Sequence, residues 1–230
     1  MRIASLSEAA AKLQVLPAAA LLLLALPLAV TRGACTLGAA CGASRDIPVL
    51  VYTAAEWLAL GVLLLWMRRR AIPFAALTWT RPRGADRAWG AAGCLFGVFV
   101  VYPVAQGINV ALGVPMFEKM QHPTLTPPGF AIQFLYAVVS APLVEETLFR
   151  AYAINFLRAR GLHAVPASLL ALLAFAAIHW PAFGPGGALF IALWALPLSA
   201  LYLWRGTLAG PALMHAMNNV LAYFIFPLLS

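Results

Sequence analysis

Charge is what this sequence has least of. Only 10% of its 230 residues are Asp, Glu, Lys or Arg and 63% are hydrophobic, whereas soluble domains are about a quarter charged. With a mean hydropathy of +0.90, that scarcity excludes a water-soluble domain of useful size and defines a membrane protein. Internal repeats and low-complexity tails are also missing, so the paired inverted halves of many secondary transporters are not seen. No H-E-x-x-H pair occurs, the helical signature of zinc proteases. No small-x-small cleavage site follows Val30 cleanly, and the charged leader before the first hydrophobic run is long and includes Glu8. That run is therefore expected to stay as a helix and not to be removed as a signal peptide.

What is present is a series of charge-free runs at 13–31, 47–67 (broken only by Glu56), 88–117, 120–144, 161–204 and 206–230. A spanning helix needs about 20 residues. The run 161–204 is long enough for two, and "PAFGPGG" at 181–187 supplies the break. The expectation is an all-α, polytopic transmembrane bundle of about seven helices. Two parts are expected: N-terminal helices over 1–127, with a basic loop at 68–87, and a core over 128–230 after the prolines of "HPTLTPPG".

The net charge of +8 is a topology signal. Arg68, Arg69, Arg70, Arg81, Arg83 and Arg87 share one loop, which the positive-inside rule makes cytoplasmic. Alternating outward puts eleven Lys/Arg inside and three outside (Arg32, Arg45, Lys119), with Arg150 left within a span. The N-terminus is then cytoplasmic, and some attraction to anionic lipid follows. Basic residues laid out this way argue against a nucleic-acid partner. Cys35 and Cys41 fall in the outer loop, where either a disulfide or two free thiols fits. Cys94 lies in an apolar span and reads as packing.

Intramembrane ionisable groups cost about 2.5–3.5 kcal/mol each on insertion scales and are functional candidates by default. After residue 128 they cluster as Glu145, Glu146, Arg150, His179 and His215, joined by Asn218 and Asn219. Glu56 lies near the outer end of its run beside Trp57 and is expected to reach the membrane interface. His122 and His163 are expected in exposed loops. Counting from cytoplasmic ends at 1.5 Å per residue, Glu145 lies roughly 22 Å deep, His179 roughly 24 Å, His215 roughly 15 Å and Asn219 roughly 21 Å. Three helices thus carry polar groups to similar depths, which favours one buried site.

Spacing separates the two glutamates. Glu146 and Arg150 are i,i+4 with the acid first, the better order for an ion pair. Glu145 points about 100° away and lacks such a partner, which leaves it available as a general base. His215 and Asn219 are also i,i+4, so both face one way and can donate to a developing oxyanion. Interhelical hydrogen bonding is the bland alternative for each of these residues.

"EETLFR", "FAAIH" and "HAMNN" read as EExxxR, FxxxH and HxxxN, and their order resembles the CPBP family. This is the Abi or CAAX-protease family of intramembrane glutamic endopeptidases, which includes enzymes that trim prenylated CAAX proteins. The likeness covers about residues 128–225. The resemblance implies that Glu145 and His179 activate a water, that His215 and Asn219 form the oxyanion hole, and that Glu146 and Arg150 support them. A membrane protein or peptide is the expected substrate, with no cofactor, and the break "GPGG" and the compact size suit a short bacterial member in the inner membrane. One rival is a zinc metalloprotease using Glu145, His179 and His215 as ligands. The other is a transporter or scaffold whose buried groups relay protons or bind a partner.

Overall fold

The computed structural model describes residues 46–117 and 127–229. The first run (13–31), Cys35 and Cys41, Lys119 and His122 lie outside the described residues. Among the described residues all regular structure is helical. Helix α1 is Asp46–Arg69, followed by a short 3₁₀ turn at Phe74–Leu77. Then come α2 (Gly84–Leu112), α3 (Pro127–Ala159), α4 (Ala164–Arg205) and α5 (209–229).

Four of these helices, α1 to α4, are long and apolar enough to cross a membrane. The chain is therefore an all-helical integral membrane protein. The expected count of about seven is not reached among the described residues. At 1.5 Å per residue α4 would run about 63 Å, twice the hydrocarbon thickness of about 30 Å. It is in fact two arms. Gly184 interrupts it with φ 74° and ψ −178°, a region of backbone space that is essentially glycine-only. Pro181 does not end the first arm as expected, because helical geometry continues to Gly184.

Other boundaries differ from the charge-free runs for identifiable reasons. Helix α2 starts at Gly84 and not at 88, since Asp86 accepts the backbone N–H of Arg83 (3.0 Å) and caps the first turn. Helix α3 starts on Pro127 and Pro128, whose missing N–H groups would be unpaired there anyway. It then runs through Glu145 to Ala159, with Glu145, Glu146 and Arg150 buried inside the bundle and the last two paired. His163 is exposed just ahead of α4, as expected of a loop residue.

The core forms around Tyr152, Tyr202, Phe149, Phe175 and Leu63, all fully buried, with Cys94 packed among them. Large apolar side chains such as Phe99 (73% exposed) point outward, as a lipid-facing surface requires. Helices α2 and α5 approach closely at Gly90 and Gly93, where a Cβ on Gly93 would lie 2.6 Å from the Met214 sulfur. Small residues serve this purpose in membrane bundles. Gly186 on the second arm accepts Asn109 Nδ2 (3.2 Å), and a Cβ there would collide with the Pro115 carbonyl. Near the basic loop, Arg205 Nε and Nη2 donate to Asp86 Oδ1 at 2.9 and 2.8 Å. That pair ties the end of α4 to the start of α2.

Candidate active site

Helix α3 carries the acidic pair on a change of helical pitch. Ala141–Glu145 is α-helical and Glu146–Ile154 is π-helical. At the junction Thr147 Oγ1 donates back to the Leu143 carbonyl (2.6 Å) and accepts Trp79 Nε1 (2.8 Å). Such side-chain bonds compete with the backbone ladder, and π segments occur often at functional sites. The expected ion pair is present: Arg150 Nη1 donates to Glu146 Oε1 at 3.0 Å, with both side chains fully buried. The guanidinium also lies over the Phe175 ring, 4.5 Å from its centroid.

The same Glu146 oxygen binds His215 Nδ1 at 2.9 Å. This fixes the ring of α5 against α3 and leaves Nε2 directed at Glu145, 3.8 Å from Oε2. Trp194 on the second arm of α4 packs edge-on against His215, with centroids 5.0 Å apart. On the first arm, His179 Nδ1 lies 2.7 Å from the Phe175 carbonyl. A carbonyl only accepts, so Nδ1 carries the hydrogen and Nε2 presents its lone pair. That Nε2 is 3.9 Å from Glu145 Oε1. Both imidazole separations exceed a direct hydrogen bond, and each is short enough for one water to bridge the carboxyl and a ring.

Glu145 is buried and its Oε1 has no hydrogen-bond partner within the protein. Together with His179, His215, Asn218 and Asn219 it lines a cavity of about 90 Å³. A water needs roughly 10–15 Å³ by this kind of measure, so several fit. Aromatic side chains, Tyr136 and Trp194 among them, form much of the remaining wall. Glu146 and Arg150 stand behind it. Asn219 commits one amide hydrogen to the Ala137 carbonyl (2.7 Å), which locks the side chain and leaves its second N–H free. Among the described residues no group of three or more His, Cys, Asp or Glu is spaced to hold a metal ion.

One expectation is overturned. Glu56 does not reach the interface: it is 1% exposed, accepts Ser140 Oγ at 3.4 Å and lies on the side of α1 that packs against the Glu145 segment of α3. Helix α1 packs against α3, which turns this face of α1 inward. The insertion penalty that marked the later acids applied equally to Glu56, the one acid in its hydrophobic run.

The fold and site together define a polytopic membrane protein with a water-sized polar chamber built from acid, imidazole and amide groups on three helices. Residues 127–221 match the Rce1-like family, described as type II CAAX prenyl endopeptidase Rce1-like. The matched stretch, less than half of the chain, is similar to that family of prenyl endopeptidases. No curated protein and no solved structure matches the chain.

Proposed function

We propose that the chain is an intramembrane endopeptidase of glutamic type, hydrolysing a peptide bond of a membrane-associated protein or peptide. The observation that carries this is the Glu145 carboxyl lying 3.9 and 3.8 Å from the Nε2 atoms of His179 and His215 at the wall of the cavity. A water bound there donates one hydrogen to Glu145 and the other to the lone pair of His179. Glu145 takes the proton as general base, and the hydroxide oxygen adds to the scissile carbonyl carbon. With hydrogen on both ring nitrogens, His215 donates Nδ1–H to Glu146 and Nε2–H to the oxyanion, beside the free N–H of Asn219 on the same helix. Glu145 then returns its proton to the leaving amine as the C–N bond breaks. Glu146 and Arg150 set the position of His215 and contact no substrate.

In this reading 128–230 is the catalytic core and the helices of 1–127 enclose it. The protein sits in a bacterial inner membrane with about seven crossings, counting the two arms of α4 separately. Its N-terminus and the loop 68–87 face the cytoplasm, on the strength of the eleven-to-three distribution of basic residues. No cofactor takes part. The test is terminal-peptide mass spectrometry of membranes that hold the wild-type protein, Glu145→Gln or neither, with prenylated and unprenylated peptides assayed in parallel. New termini produced by wild type alone support the reading. Identical termini in all three membranes, together with no cleavage of either peptide class, overturn it.

A further inference from the structure

Glu56 has no part in the chemistry above, yet it is placed against its central group. Its Oε2 accepts Ser140 Oγ at 3.4 Å, while its Oε1 and Glu145 Oε1 both lack a hydrogen-bond partner. The titratable groups that face it are Tyr52 on α1, Tyr136 and Glu145 on α3, and Tyr223 on α5. The Tyr52 and Tyr136 rings pack edge to face at 5.8 Å, and Tyr136 lines the chamber. Beyond Glu145 lie His179, His215 and the Glu146–Arg150 pair.

Counting charge is decisive here. Three buried carboxyl groups, Glu56, Glu145 and Glu146, stand near two cationic partners, Arg150 and a doubly protonated His215, and both of these already bond Glu146 Oε1. Two carboxylates sharing a dry site do not both ionise. A hydrogen bond between two carboxyl groups also requires a proton on one of them. Glu145 faces the cavity and Glu56 does not line it.

We propose that Glu56 and Glu145 form a proton-sharing pair, in which Glu56 holds the proton and donates it as a hydrogen bond that orients the Glu145 carboxylate. This rests on Glu145 being the base. Glu56 acts through Glu145 and is a positioning residue. During turnover the water proton goes to Glu145 and the hydroxide to the carbonyl carbon, while Glu56 keeps its own proton. When the C–N bond breaks, the proton on Glu145 passes to the amine nitrogen and the pair returns to a single negative charge.

The test uses the purified full-length chain in a lipid nanodisc. Infrared spectra of the wild type at neutral pH are expected to contain a deuterium-sensitive protonated-carboxyl C=O band that Glu56→Gln removes. Glu56→Gln keeps an N–H donor and should retain turnover within a few fold of wild type. Glu56→Leu removes the donor and should lower kcat by about 10–100-fold, the loss typical of partners that orient a reacting group. KM should not change, because Glu56 is not at the cavity wall. Rescue by Gln and a kcat-only loss are not expected of a residue that merely fills space. A missing band in the wild type overturns the proposal, as does equal loss in Gln and Leu or wild-type turnover in Leu. The spectroscopic arm needs neither activity nor a folded Leu variant. Failure of the catalytic reading would show separately, as an active Glu145→Gln.

Discussion

Glu146→Gln isolates the buried ion pair more cleanly than any other change at this site. The amide oxygen still accepts His215 Nδ1, now 2.9 Å from Glu146 Oε1, so the histidine keeps its anchor. What disappears is the negative charge opposite Arg150, whose only ion-pair partner among the described residues is Glu146 at 3.0 Å. Breaking a fully buried pair from one side costs about 3–5 kcal/mol, because the remaining charge is left without compensation. For a chain of this size 1 kcal/mol shifts Tm by about 2–4 °C. Thermal unfolding of Glu146→Gln in detergent should therefore begin about 6–20 °C below wild type. Arg150→Met alone leaves an unpaired carboxylate and should behave similarly. The double variant Glu146→Gln/Arg150→Met carries neither charge, and stability should recover beyond the level of either single variant. Coupling between touching residues of this kind is what a double-mutant cycle measures. A Glu146→Gln protein that melts with the wild type, or a double variant whose loss equals the sum of the singles, would refute the reasoning.

Glu145→Gln preserves shape and removes proton acceptance, so turnover should fall about 10²–10⁴-fold while the melting curve stays within a few degrees of wild type. Equal turnover of the two proteins on a verified substrate would sink the mechanism. Chelator treatment should leave wild-type activity unchanged, whereas loss reversed by added zinc would favour the metalloprotease. For topology, Gly84→Cys is a benign probe, since a side chain there meets nothing within 4 Å. In a chain whose own cysteines are replaced, it should resist an impermeant thiol reagent in intact cells and react once they are permeabilised. Ready labelling of intact cells would invert the orientation.

The parts of the site that could be read from the sequence are those set by short-range spacing. The Glu146–Arg150 pair follows from four residues of helix, and it forms even though the helix there is π-wound. Depth counting brought Glu145, His179 and His215 to one level because α3 runs unbroken to Ala159. Glu56 was lost for the opposite reason. Its role depends on which face of α1 meets α3, a long-range contact that no periodicity in an almost uniformly apolar helix reveals. Charge-free runs do not mark helix ends where a charge is itself part of the helix: Asp86 caps and pairs at the start of α2 instead of lying outside it. The shared use of Glu146 Oε1 by Arg150 and His215 also needed coordinates, since those residues come from different helices.

The break at Gly184 has a stereochemical consequence. Its φ of 74° and ψ of −178° are the mirror image of the extended geometry that an ordinary residue adopts before a proline, and Pro185 follows directly. What the position requires is thus handedness more than smallness. An L-alanine would be forced into a region essentially closed to it, while a D-alanine introduced by semisynthesis would rest in its own preferred basin. The turn that separates the helix arm bearing His179 from the arm bearing Trp194 is, in this sense, a single right-handed residue written in a left-handed chain, and glycine is the genetically encoded residue that can stand for it.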